Sequence, residues 1–230
     1  NYAEKTNQLL IENGLDFTII KSPMFAMLDD KQIASDYFGL INSKTNQVIH
    51  TVKESYHPSQ NSEILEMVLR GIEGFGELSV QKAGSLNGGR KVYIQLLVEG
   101  KAKVGNDLID KYITIIDSND GSTSLSVGIG DETMRCQNQF WKFYRSGQMK
   151  ARHTESIKTK IAELPNLIEI ALNNSMRQIE LYNKFQSTEI SRKLANDMVK
   201  YVLGYDKELT SMNELSAKST RAINKMNDLY

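Results

Sequence analysis

Residues 78–98 read LSVQKAGSLNGGRKVYIQLLV, and this stretch decides the fold. Leu78–Leu86 and Lys91–Val98 are β-patterned runs, and Asn87-Gly88-Gly89 between them tolerates the positive φ of a tight hairpin turn. Downstream, Leu108–Asp117 and Ser122–Ile129 pair in the same way around Asn119-Asp120-Gly121. Upstream, Asp36–Ile41 and Gln47–Val52 flank the polar turn Asn42–Asn46, a third hairpin signature. Leu15–Lys21 is apolar and β-branched, and Pro23 punctuates it. Between these runs, Glu63–Phe75 carries Ile64, Leu65, Val68, Leu69 and Ile72 at helical spacing, with Asn61 or Ser62 as its N-cap and Gly74 and Gly76 closing it. A short helix over residues 1–14 stops at Asn13-Gly14. The prediction is an α+β fold: an antiparallel β-sheet of hairpins, four or more strands, with a helix packed on one face and a helical C-terminal region.

The texture turns helical after Cys136. Gln137–Tyr144 predicts a short helix and Glu155–Phe185 a long one, with Pro165 as kink or boundary. Thr188–Leu203 and Thr210–Leu229 follow. This divides the chain into an α+β core domain, residues 1–154, and a helical subdomain, residues 155–230. Leu, Ile and Met at three-to-four spacing in those helices predict a packed bundle or an oligomer surface rather than a cofactor box.

Composition narrows the classes. An apolar fraction of 40% and a charged fraction of 24% belong to an ordinary globular protein, not a disordered one. Lys+Arg and Asp+Glu both number 28, so net charge is silent about partners. Cys136 is the single cysteine, which excludes an intramolecular disulfide. No apolar run nears the roughly 20 residues of a membrane span, and no signal-peptide pattern opens the chain, so a cytoplasmic protein without membrane contact is expected.

Five polar clusters between residues 56 and 154 hold the candidate chemistry. Tyr56-His57-Pro58-Ser59-Gln60-Asn61 enters a helix, where free N–H groups attract anions and Asn61 is placed to cap. Ala83–Lys91 is glycine-rich but lacks the Gly-Lys-Ser/Thr ending of a P-loop and runs into a strand, so it is a hairpin with two cations, Arg90 and Lys91. Asp117–Ser122 is not an EF-hand, because Gly121 stands fifth and Gly128 twelfth, where the loop needs glycine sixth and glutamate twelfth. The remaining clusters are Met134–Asn138 and Lys150–Thr154. Cys136 as a nucleophile with His153 as its base competes with the plainer account, a small buried hydrophobe, which is preferred. His50, His57 and His153 have no metal-binding spacing, so neither a zinc site nor any other cofactor is expected.

The charge map is more telling. From Arg135 to Lys160 there are seven basic residues, Arg135, Lys142, Arg145, Lys150, Arg152, Lys158 and Lys160, against one acid, Glu155. Phe140, Trp141, Phe143 and Tyr144 lie among them. Cations that neutralise phosphates beside rings that stack on bases are what sequence-tolerant single-strand binding uses. The competing account makes the rings core and the cations solvated.

Taken in order, the five clusters resemble a phage/plasmid-like family of unknown function found in phages, prophages and plasmids. The resemblance rests on Tyr56–Asn61, Ala83–Arg90, Asp120–Ser122, Arg135–Asn138 and Arg152–Thr154, and runs from about Leu15 into the C-terminal helices. Asn119 departs from it, standing where the family usually has histidine, and Gln139 stands where it often has threonine. The resemblance implies a mobile-element setting and a distant analogy to phage annealing proteins of the Red beta, RecT and Erf kind.

The expected function is therefore single-stranded DNA binding, with RNA as second choice, and strand annealing by a homo-oligomer. Phosphate contacts are assigned to Arg90, Lys91, Arg135, Lys150 and Arg152, with His153 near a phosphate and Asn61 at the helix entrance. Base stacking is assigned to Tyr56 or Trp141. The alternative is an enzyme acting on nucleic acid or nucleotides, with Asp117, Asp120 and His153 around a divalent metal. A structural or host-interaction protein is the third class.

Overall fold

A computed structural model describes residues 2–76, 78–147 and 149–202. The chain divides after Tyr182 into two compact units. In the first, α1 (Tyr2–Glu12) leads into β1 (Ile19–Leu28), β2 (Lys31–Asn42) and β3 (Gln47–Lys53), then α2 (Asn61–Ile72). There follow β4 (Leu78–Leu86), β5 (Lys91–Val104), β6 (Asp107–Ser118), β7 (Leu125–Gly130), α3 (Gln137–Ser146), β8 (Met149–Ala151) and α4 (Ile157–Ala162). Helix α5 (Leu164–Gln186) ends past the division.

The α+β class and the antiparallel hairpins stand as expected, but the strands form two sheets, β1-β2-β3 and β4-β5-β6-β7-β8. One hairpin was not foreseen. Strand β1 does not stop at Pro23; it passes a register shift between Pro23 and Phe25 and continues to Leu28. It then turns through Asp29 and Asp30, both at positive φ (47° and 60°), the geometry of a two-residue hairpin loop. Proline is tolerated there because β1 is an edge strand.

Period-two alternation buries the five-stranded sheet on both faces. Val92, Ile94, Leu96, Ile113 and Ile115 join Ile64, Leu65, Val68 and Leu69 of α2 and Leu164 and Ile168 of α5 in the main core. Tyr93 and Ile116 point the other way, into a smaller cluster with Met134 and with Phe140 and Phe143 of α3. Helix α2 and the start of α5 approach closely, since a Cβ on Gly71 would stand 2.9 Å from the Pro165 Cα. Asn61 does not cap α2. It is the first helical residue, buried, and its amide Nδ2 donates to the Leu15 carbonyl at 3.1 Å, tying α2 to the segment before β1.

The long helix expected over 155–185 is broken at Glu163, the residue two before Pro165, giving α4 and α5. In the second unit, α6 (Arg192–Val202) starts later than Thr188. Thr188 instead donates its hydroxyl to the Lys184 carbonyl at 2.6 Å, and Ser191 Oγ accepts the Leu194 amide at 3.2 Å as the opening cap. The helix expected over Thr210–Leu229 lies outside the described residues. Among the described residues no helix is long and apolar enough to cross a membrane.

Candidate functional site

The alternation that sends Ile113 and Ile115 into the core sends Asp117 to the same face at the end of β6. There its carboxylate meets two side chains from distant parts of the chain. Ser59 Oγ donates to Asp117 Oδ2, and Asp117 Oδ1 lies 2.8 Å from His153 Nε2. Both members of the pair are almost wholly shielded, with side-chain exposures of 3% for Asp117 and 4% for His153. The Tyr56 ring stacks on the imidazole, centroids 5.0 Å apart and planes 17° from parallel, and its hydroxyl donates to the Ser118 carbonyl at 3.3 Å. The His57 amide donates to the His153 carbonyl at 3.0 Å, joining the two loops through the backbone.

Beside this pair the turn after β6 builds a second one. Asp120 Oδ1 accepts the Ser122 amide at 3.0 Å, an Asx turn that Gly121 completes at φ +67°. Lys91 Nζ donates to Asp120 Oδ2 at 3.3 Å and to Ser122 Oγ at 2.8 Å, beneath the Trp141 ring at 5.2 Å. Asn119 is buried and bonds back to the first hairpin: its amide donates to the Arg90 carbonyl at 2.7 Å and its Nδ2 to the Gly89 carbonyl at 2.8 Å. The two Asn-Gly turns found in the sequence therefore brace one another.

These contacts set the protonation of the site. Burial alone would lower the His153 pKa, but the charge of Asp117, its hydrogen bonding and the charge of Asp120 together raise it above the ordinary value. Burial first, then the negative charges of Asp117 and Asp120, push the Tyr56 phenol far up, so it stays neutral. Burial would raise Asp120, yet the Ser122 hydrogen bonds and Lys91 hold it below its usual value.

Above the pair opens a cleft of about 480 Å³. Tyr56, Arg152, His153 and Thr154 form one wall, Gly121 to Ser124 the turn side, His50, Val52 and Lys53 of β3 another wall, and Tyr144 of α3 a further part of the lining. None of the described lining residues is acidic. Thr123 is 5% exposed and its hydroxyl has no hydrogen-bond partner among the described residues.

Of the residues expected to contact nucleic acid, Tyr56, Arg152 and His153 meet in this cleft, and Lys150 adjoins it, with its ammonium 4.2 Å above the Tyr144 ring. The others stand elsewhere. Lys91 is buried in its ion pair, Asn61 is tied to Leu15, and Trp141 is half-buried over Lys91. Arg90 is exposed on its hairpin, and Arg135 is exposed at the entrance to α3, where its amide donates to Gln139 Oε1 at 2.6 Å. Cys136 is exposed at the N-terminus of α3 rather than buried, outside the cleft lining. Asp117 and His153 meet, but Asp120 turns to Lys91, and no three His, Cys, Asp or Glu side chains among the described residues stand where they could share a metal ion. Sequence reasoning missed His50, Lys53, Ser59, Thr123 and Tyr144 as site residues. The only signal for His50 was its place on a strand of the third hairpin, read as Gln47–Val52, and Lys53 lies just past that strand.

Residues 48–230 match a family described as a domain of unknown function, DUF932. The chain belongs to the DUF932 family. The match begins in β3 and takes in every residue of the cleft, so the site lies within the DUF932 domain, while α1, β1 and β2 precede it. No curated protein and no solved structure matches this DUF932 chain.

Proposed function

We propose that this DUF932 protein binds single-stranded nucleic acid, DNA foremost, as a cytoplasmic homo-oligomer serving strand annealing in a mobile element. The observation that carries the reading is the lining of the cleft. Lys53, Arg152, His50 and the raised-pKa His153 face a space without carboxylates. Such a set suits phosphate oxygens, with Arg152 and Lys53 supplying charge at the rim. Tyr56 and Tyr144 present ring surface, which every base can use, so the site suits a strand of any sequence. A cleft of about 480 Å³ has the size of a small-molecule pocket and suits individual nucleotides rather than a duplex. Strand annealing and the mobile-element setting rest on the resemblance of the five clusters.

The test is fluorescence anisotropy of a labelled single-stranded oligonucleotide across a salt series. Binding should weaken log-linearly with salt, and Arg152→Ala should weaken it and reduce the slope by about 0.7. Absence of binding at low salt, or affinity indifferent to salt, overturns the reading.

A further inference from the structure

We infer that the cleft is also a catalytic site that cleaves RNA by proton transfer, His153 protonating the leaving 5′-oxygen and His50 taking the proton of the attacking 2′-hydroxyl. This rests on the reading of the cleft as a nucleic-acid site and adds a reaction to it.

The first ground is that the Asp117–His153 pair is built for more than attraction. Burying an ion pair costs desolvation that its Coulomb energy barely offsets, and exposed Arg152 and Lys53 already supply charge for holding a phosphate. The buried carboxylate does what such a partner does behind a catalytic imidazole. It holds Nε2, fixes the ring and favours the protonated form. Ser59 on the second carboxylate oxygen and Tyr56 stacked on the ring fix it further. With Nε2 against Asp117, the imidazole has Nδ1 left to meet a substrate in the cleft it lines.

The second ground is a second imidazole at the same turn. A Cβ on Gly121 would lie 3.6 Å from Tyr56 Cε2 and 4.0 Å from His50 Cδ2. His50 and Tyr56 therefore both flank the Gly121 turn, and the Tyr56 ring stacks on His153. The ring of His50, on β3, is exposed, whereas that of His153 is shielded. Two imidazoles in different environments, one backed by a carboxylate, are matched to opposite halves of a proton-transfer cycle. Arg152 and Lys53 stand by to stabilise negative charge gathering on the phosphoryl oxygens.

The step balances without oxidant, metal or cofactor. The 2′-hydroxyl gives its proton to His50 as its oxygen bonds to phosphorus. The bond from phosphorus to the 5′-oxygen breaks, and that oxygen takes the proton from His153. The products are a 2′,3′-cyclic phosphate and a 5′-hydroxyl, and each histidine ends in the protonation state from which the other began. DNA has no 2′-hydroxyl and would be bound but spared.

The experiment uses the full chain and a labelled DNA oligonucleotide carrying a single ribonucleotide, with binding and strand scission followed in the same samples containing EDTA. Expected is scission at the ribonucleotide alone, leaving a 2′,3′-cyclic phosphate, with a rate that falls at both pH extremes. His50→Ala is an exposed substitution that leaves the fold intact; with the oligonucleotide bound to saturation it should cleave about 10²-fold or more slowly, a loss that weaker binding cannot cause. Prepared identically, it also exposes any contaminating nuclease. Asp117→Asn should displace the pH profile, which a merely structural carboxylate would not do. Binding without scission, or scission unchanged in His50→Ala, overturns the inference and leaves the binding function standing. Failure to bind overturns both.

Discussion

The two faces of the five-stranded sheet are buried by opposite means. On one, Val92, Ile94, Leu96, Ile113 and Ile115 meet the apolar stripe of α2. On the other, Lys91, Tyr93 and Gln95 of the same strand lie buried on the side of α3, Lys91 paired to Asp120 and Gln95 donating to Thr114 Oγ1 at 3.0 Å and the Glu132 carbonyl at 3.2 Å. The first face gains free energy with every methyl removed from water. The second spends part of that gain on desolvating polar groups, which the partners of Lys91 and Gln95 offset. The cleft sits where the two arrangements meet, with Asp117 ending the apolar row and Asp120 answering Lys91. The difference teaches that stability and site are supplied by neighbouring residues of the same strands, one residue out of phase.

The largest effect should come from the apolar face. Leu96→Ala empties a fully buried position and should cost about 4 kcal/mol by urea denaturation, equally at every pH. A loss that varied with pH would mean the faces are not separable. Lys91→Met comes next, at about 3 kcal/mol, because it strands a partly shielded Asp120. Here the sign of the pH effect is definite. Asp120 is depressed in the folded state, so its pairing stabilises above the unfolded carboxylate pKa of about 3.9 and is lost as pH falls through the folded value. Denaturation midpoints for Lys91→Met should fall less steeply toward acid than those of the native chain, and an unchanged acid limb would break the comparison. The smallest effect belongs to His153, raised in the folded state. Its contribution is complete below the unfolded imidazole pKa of about 6.5 and is lost as pH rises through the folded value. His153→Asn should flatten the alkaline side of the stability profile; a slope as steep as before would mean that the Asp117 contact carries no proton linkage.

Much of this frame was legible in the sequence because its signals are local. Asn87-Gly88-Gly89 and Asn119-Asp120-Gly121 each need backbone conformations that few residues accept, and the apolar spacing of Ile64 to Ile72 permits one helix face. Pro23 misled because a proline ends central strands but not edge strands, and nothing local says which kind β1 is. Lys91 was read as a free cation although it alternates with Val92 and Ile94. Which side of a strand is also covered, here by α3, depends on a helix far along the chain. The meeting of Ser59, Asp117 and His153 was illegible for the same reason, since each is an ordinary residue until the two sheets and α2 place them together.

The bond from the His57 amide to the His153 carbonyl has one further consequence. It makes the assembled site visible to solvent isotope. That amide surrenders its hydrogen to deuterium only when the two loops part, so its exchange rate is a clock for site opening. It can be read beside the amides of β5 and β6, which wait for the sheet itself to open.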